Sequence, residues 1–132
     1  VPTHVNFAPM VPAINDHELE AVAEASAAAG AVGFSSIPLR LPHEVAPLFA
    51  DWLDVHFPDR KDKVLAIVRS LRGGRLNDPG FGTRMKGEGP WAELMATRRR
   101  IARRRHGFEG GKWDLATHLF RPPPRGGQLS LF

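Results

Sequence analysis

Two short apolar segments flank one amphipathic segment in the first part of the chain. Residues 4–11, HVNFAPMV, are mostly apolar with β-branched and aromatic members, which predicts a buried strand that ends at Pro12. A helix is predicted to begin at a capping Asn15 and to end at Gly30, and a second strand covers residues 31–41. A strand, a helix and a strand joined by short links predict a βαβ unit with parallel strands, and therefore an α/β fold.

The apolar residues that follow recur with helical spacing. Helices are predicted over residues 44–57, 58–72 and 90–105, and a glycine-rich loop covers residues 75–89. Residues 121–127, RPPPRGG, form a linker of stiff prolines and flexible glycines. The chain therefore divides into βα units over residues 1–42, a basic helical extension over 43–107 and an irregular tail over 108–132.

Charge is unevenly distributed, although the net charge of the chain is only +4. Residues 1–59 contain one arginine and eight carboxylates, whereas residues 60–105 contain fourteen Lys/Arg and four carboxylates, so their net charges are −7 and +10. The basic segment is expected to attract a polyanion such as DNA. The chain has no cysteine, no histidines at metal-ligand spacing and no apolar run long enough for a membrane span. We therefore expect no metal site in this chain, no membrane partner and a cytoplasmic location.

Several uncommon sequence words occur in order along most of the chain. They are FAPMVPAINDHEL, AAAGA, IPLRLPHEVAPLF and RSLRGGRLNDPGFGTRMKGEGPWA. Together they resemble the C-terminal region of bacterial radical S-adenosylmethionine (SAM) proteins of the spore photoproduct lyase-like, or "DNA repair photolyase", group. The resemblance implies the last βαβ unit of an incomplete (β/α) radical SAM barrel, followed by a helical extension and a tail.

The resemblance also implies chemistry that this chain cannot carry out alone. Such enzymes hold a four-iron–four-sulfur (4Fe-4S) cluster through an N-terminal Cys-x3-Cys-x2-Cys loop and cleave SAM to a 5′-deoxyadenosyl radical. No cysteine is present here. A single βαβ unit also leaves both edges of its sheet open. We therefore expect the chain to be a C-terminal fragment that needs a missing N-terminal barrel half and is inactive by itself.

The resemblance places one wall of a SAM pocket at the ends of the two predicted strands. The residues that match are Val11, Ala13, Asp16, Arg40, Leu41 and His43. Ligands of parallel α/β folds bind at the carboxyl ends of strands, which agrees with this position. Other roles stay open: Val11 can be ordinary core, Asp16 can belong to a helix start, and Arg40 can pair with a neighbouring carboxylate.

Candidate anion or nucleic-acid contacts lie in the glycine-rich loop and in the last predicted helix. They are Arg75, Arg84 and Lys86 in the loop, and Arg98, Arg99, Arg103 and Arg105 in the helix. Arg98 and Arg105 fall on the apolar side of that helix, so they either extend past the core edge or meet acids or phosphates. The other helix arginines are expected on the exposed faces, where an ordinary solvated surface is the alternative to DNA binding.

The chain ends in QLSLF, after the flexible linker. These residues, Gln128, Leu129, Ser130, Leu131 and Phe132, match the peptide by which bacterial DNA polymerases and repair proteins bind the β sliding clamp. Two apolar side chains at the end of an extended segment suit an apolar pocket on a partner. The alternative is a tail that packs on its own domain.

Two functions therefore remain open, beside a third interpretation of the chain as an isolated pseudo-domain without function. The first is part of a radical SAM enzyme with SAM and a 4Fe-4S cluster in the full-length protein, acting on DNA. The second is a non-enzymatic adaptor that binds DNA and the sliding clamp.

Overall fold

The computed structural model describes residues 2–108 and 116–122. It is a mixed α/β structure with a two-stranded parallel sheet. The elements are β1 (His4–Met10), α1 (Leu19–Ala28), β2 (Gly33–Pro38), α2 (Val45–His56), α3 (Lys61–Ser70) and α4 (Gly89–Arg105). Short 3-10 helices cover Asp16–Glu18, Pro58–Arg60 and Thr117–Leu119.

The parallel strand pair confirms the predicted βαβ unit. His4 pairs with Gly33 and Phe7 with Ser36, and the register shifts between Phe7 and Met10. The predicted second strand was too long, because β2 ends at Pro38, which has no N–H for the ladder. Leu39 and Leu41 still donate to the carbonyls of Met10 and Leu76, at 3.0 and 3.2 Å.

The prediction that β1 is a buried strand is wrong. Within it only Met10 is buried, and the other side chains are exposed or half-buried. The reason is that the helices cover only one face of the sheet, where Phe34 and Ser36 are buried. The opposite face carries His4, Asn6 and Ser35.

Asn15 is the N-cap residue of the 3-10 helix Asp16–Glu18, as predicted for a helix start, but its side chain makes no capping hydrogen bond. The Asn15 carboxamide accepts a hydrogen bond from the Val11 N–H at 2.7 Å and donates to the Pro9 carbonyl at 3.2 Å. An asparagine side chain competes for nearby backbone groups in this way, and here it closes the turn after β1. The 3-10 helix Asp16–Glu18 then leads into α1 without a side-chain cap.

Two apolar clusters stabilise the chain. The first cluster joins the sheet to α1 and α4, and its buried members are Met10, Leu19, Ala23, Phe34, Met95, Ala102 and Phe108. The second joins the strand ends to α2 and α3 through Val11, Leu39, Leu41, Leu53, Val64, Leu65 and Val68. Helix α4 therefore packs on the sheet itself, with its other side available to solvent. Among residues 2–108 and 116–122, no helix is long and apolar enough to cross a membrane.

Candidate nucleic-acid interface

Four arginines of α4 line one shallow cavity of about 310 Å³, here called the arginine groove. Its lining consists of Ala96, Arg99, Arg100, Arg103 and Arg104. These positions recur at three and four residues, so they lie along one side of the helix over two turns. The groove therefore concentrates positive charge along one line of the surface.

Arg99 lies at the inner edge of the groove and is half-buried. Its Nη1 donates to the carbonyl of Ser36 in β2 at 3.2 Å and approaches the Ser36 hydroxyl at 3.4 Å. Burial lowers the pKa of the Arg99 guanidinium, and the positive charge of Arg103 lowers it further. Both causes disfavour the charged form, so a nearby anion would relieve the cost of this arrangement.

Two neighbouring groove arginines, Arg100 and Arg103, differ in their surroundings. Arg103 donates to the Phe108 carbonyl at 3.0 Å, which closes the end of α4, and Arg100 is exposed. In the part of the chain that the structure describes, Arg99, Arg100 and Arg103 form no ion pair with a carboxylate. The expectation that Arg99 and Arg103 are fully exposed is wrong, because α4 packs them against β2 and the turn at Phe108.

A second cavity of about 340 Å³ connects the groove to the glycine-rich loop. Arg99 and Ala96 line both cavities, and the loop contributes Lys86 to the second one. Glu88 and Glu93 line it too, so its charge is mixed rather than purely basic. Lys86 therefore lies near Arg99 of the helix, so that one ligand could contact both residues.

The loop is held by a buried arginine that the sequence reasoning did not select. Arg72 is only 3% exposed. Its Nη1 donates to the carbonyls of Thr83 and Arg84, at 3.4 and 2.9 Å, and its Nη2 to those of Pro38 and Leu39, at 3.4 and 3.2 Å. One guanidinium thus joins the glycine-rich loop to the end of β2.

Electrostatics at Arg72 are set by burial. Burial lowers the pKa of the Arg72 guanidinium, the charge of Arg40 lowers it further, and the carboxylate of Asp78 partly offsets the two. The pKa of Asp78 is itself lowered, first by the hydrogen bond from the Thr83 hydroxyl and then by that from the Gly80 N–H at 2.8 Å. These contacts make residues 78–84 an internally bonded turn.

The remaining loop candidates differ in exposure, since Arg75 is exposed and Arg84 is half-buried. The Arg84 guanidinium lies 5.0 Å from the centre of the Phe81 ring. Phe81 was not a candidate in the sequence analysis. Its position between Gly80 and Gly82, in a loop of polar and basic residues, was a signal that could have indicated an exposed aromatic side chain. The loop therefore presents Arg75, Arg84 and Lys86 without bringing them into one pocket.

The two arginines predicted on the apolar side of α4 have different surroundings. Arg98 forms a two-pronged ion pair with Glu20 of α1, with its Nε 2.7 Å from Oε1. This pair lowers the pKa of Glu20 and raises that of Arg98, chiefly through the side-chain hydrogen bonds. Arg98 thus meets an acid, one of the two alternatives predicted, while Arg105 is exposed and lies outside the groove.

The six candidate SAM-wall residues do not share one cavity in the described part of the chain. Val11 and Leu41 are buried in the second apolar cluster. Ala13 and Asp16 line a cavity beside α4, where the Trp91 indole N–H donates to Asp16 at 3.2 Å. Arg40 lines a different cavity of about 440 Å³ at the end of β2. His43 is exposed, with a left-handed backbone (φ 43°).

The uncovered face of the sheet carries a chain of polar contacts. The His4 ring Nε2 lies 3.0 Å from the Ser35 hydroxyl, which donates to the Asn6 carboxamide oxygen at 2.9 Å. A side chain at Gly33 would collide with the His4 ring, because its Cβ would lie 2.2 Å from Nδ1. Glycine is therefore required here for the histidine to lie flat over the strand.

The residues present do not fit an iron–sulfur cluster, since the chain has no cysteine. Within residues 2–108 and 116–122, no group of three or more His, Asp or Glu side chains could hold a metal ion. The predicted clamp-binding peptide, residues 128–132, lies outside the described residues. No family model, curated protein or solved structure matches the chain.

Proposed function

We propose that this chain binds DNA through the arginine groove of α4, as the C-terminal part of a cytoplasmic radical SAM enzyme that acts on DNA. The observation that carries the proposal is the groove itself. Three of its arginines, Arg99, Arg100 and Arg103, have no carboxylate partner among the described residues. Guanidinium groups bind phosphate oxygens in pairs, so phosphates offer a counter-charge to these three groups.

The expected mode of binding is to the phosphate backbone. In helix α4 the half-buried Arg99 and Arg103 lie at the edge of the packed face, and Arg100 and Arg104 are exposed beside them. None of the elements is a recognisable base-reading module, so affinity is expected to depend on salt and little on duplex sequence. Lys86 adds one positive charge from the glycine-rich loop, in a cavity that Glu88 and Glu93 also line.

The enzyme part of the proposal rests on the family resemblance and is supported by the shape of the sheet. β1, α1 and β2 form a parallel βαβ unit whose helix-free face carries His4, Asn6 and Ser35. In a βα barrel the helices cover the outside and the other strand face points inward. SAM and a 4Fe-4S cluster would supply the radical chemistry, with the cysteine ligands on the missing barrel half.

DNA binding is tested by fluorescence anisotropy with a labelled duplex between about 50 and 200 mM salt. We expect the Arg100→Gln, Arg104→Gln double variant to lower the slope of log affinity against log salt by about 2, because each phosphate contact contributes about 0.9. The matched control is Lys63→Gln, Arg69→Gln on exposed positions of α3, with the same loss of charge. An equal loss in both double variants would contradict a groove and indicate unspecific attraction.

The enzyme assignment has a separate test. The DNA that encodes the chain is read upstream of Val1, and a Cys-x3-Cys-x2-Cys loop is expected. The longer protein is then reconstituted with iron and sulfide without oxygen, and 5′-deoxyadenosine is measured after reduction in the presence of SAM. An upstream stop codon followed by a start codon near Val1 would refute the enzyme part of the proposal. It would not affect the proposed DNA binding.

A second candidate function, the clamp-binding adaptor, is favoured by the QLSLF sequence at residues 128–132. We expect purified β sliding clamp to bind the chain. The Leu131→Ala, Phe132→Ala variant is expected to lose this binding. The matched control is Leu119→Ala, Phe120→Ala, the same residue pair ahead of the linker, where both side chains are exposed. Binding by the first variant as tight as that of the parent would refute this candidate.

A further inference from the structure

Phe81 is the most exposed large apolar side chain among the described residues, at 87%. An exposed aromatic residue in a flexible segment needs no explanation. Phe81, however, lies in the bonded turn of residues 78–84, described above. The ring is therefore presented to solvent by a backbone that is fixed around it.

Several contacts fix that backbone. The Arg84 N–H donates to the Gly80 carbonyl at 2.9 Å, and the Lys86 and Gly87 N–H groups both donate to Thr83 at 3.0 Å. A Cβ at Gly80 would lie 2.9 Å from both the Asp78 carboxylate and the Thr83 hydroxyl, so a side chain there would displace one of these two groups. Buried Arg72 ties the same turn to the end of β2.

The surroundings of the ring are basic. The Arg84 guanidinium covers the ring at 5.0 Å, and Arg75 and Lys86 lie in the same loop. Of the two carboxylates in the loop, Asp78 is occupied by the Thr83 hydroxyl and the Gly80 N–H. An aromatic ring beside arginine is the combination on which single-stranded nucleic acids stack their bases. An apolar protein partner would be poorly matched by this charge.

We propose that Phe81 stacks on an unpaired base of the DNA strand whose phosphates bind the arginine groove. The inference rests on the proposed DNA binding and adds a second, base-directed contact to it. Lys86 of the same loop and Arg99 of the groove line one cavity, so the loop that carries Phe81 lies next to the groove. The predicted ligand is DNA with at least one base out of the stack, as a single strand or at a damaged or unpaired position.

The experiment compares a single strand with a duplex of equal length, by anisotropy, for the parent chain and Phe81→Ala. Loss of one aromatic stacking contact is expected to weaken single-strand binding about tenfold and leave duplex binding within about twofold. The salt slope should stay unchanged, since no charge is removed. Phe81→Trp should restore single-strand affinity. Phe120→Ala, at a site that is also strongly exposed, is the matched control and should have no effect.

A direct readout uses 2-aminopurine in the single strand, whose fluorescence falls when the base stacks. The parent should quench it and Phe81→Ala should not, while circular dichroism checks that both are folded. Equal quenching by both proteins, or equal single-strand affinity, would overturn the stacking contact and leave Phe81 as a contact for an apolar protein surface. If the groove variant of Arg100 and Arg104 still loses affinity in that case, the proposed DNA binding stands without the stacking contact. If the parent binds neither strand form, both proposals fail.

Discussion

The arginine groove and the site around Arg72 use the same side chain in opposite ways. Arg72 is enclosed and directs its terminal nitrogens to four backbone carbonyls. Arg99 and Arg103 each reach the protein backbone with one nitrogen, and Arg100 is open to solvent. The comparison teaches that positive charge alone does not indicate a binding site. The guanidinium without enough protein partners is the one available to a ligand.

The Arg72→Met substitution is expected to have the largest effect, and the effect is on the stability of the protein. It leaves buried carbonyls of two segments without their donor, and hydrogen bonds to a charged group contribute about 1.5–3 kcal/mol each. We expect the free energy of unfolding to fall by about 3 kcal/mol, measured by urea denaturation. Arg69→Met, at an exposed position earlier in α3, is the control and should change it by less than about 0.5 kcal/mol. A stable Arg72→Met protein would mean that the loop is held by its other contacts.

The Arg99→Met substitution should affect DNA affinity more than stability, in contrast to Arg72→Met. It removes a charge that burial and Arg103 disfavour, so the free energy of unfolding should fall by no more than about 1 kcal/mol. Affinity for duplex DNA at low salt should fall about tenfold, with a salt slope smaller by about 1. Urea denaturation and anisotropy on the same protein check both parts. Loss of stability with unchanged DNA affinity would make Arg99 a structural residue like Arg72.

The smallest expected effect concerns Arg98, which already has an acidic partner in Glu20. The pair is partly exposed, so Glu20→Gln should lower the free energy of unfolding by about 0.5–1 kcal/mol near neutral pH. Because folding lowers the pKa of Glu20, this stability is present above its unfolded pKa of about 4.3 and is lost as the pH falls through the folded pKa. Urea denaturation across this range should show the parent and variant converging in acid. Glu24→Gln, at an exposed position one turn along α1, is the control and should change the free energy of unfolding by less than about 0.5 kcal/mol.

Sequence reasoning was strongest where backbone chemistry decides the structure. Prolines and glycines at segment ends, together with apolar spacing, predicted the parallel strand pair and helices close to α1, α2, α3 and α4. It was weaker for burial, because burial depends on which face a neighbouring helix covers. Thus β1 is mostly exposed or half-buried, and in α2 only Leu53 of the apolar stripe is buried.

The candidate site was predicted only in part for the same reason. The sequence predicted the basic character of α4. It did not predict which arginines line the groove, because this depends on how the helix packs on β2. Arg72 could have been found, since it continues the apolar stripe of Leu65 and Val68 at helical spacing. The stacking role of Phe81 depends on a fixed turn, which sequence spacing does not reveal.

The position of Arg72 has a mechanical consequence for the whole surface. A single planar group spans the glycine-rich loop and the last residues of β2. The loop and the strand end are therefore mechanically coupled. A displacement of the loop either moves the strand end with it or breaks the hydrogen bonds that Arg72 makes on one side. A force applied where Phe81 protrudes would reach the region of Leu39 and Arg40 through the hydrogen bonds of one guanidinium.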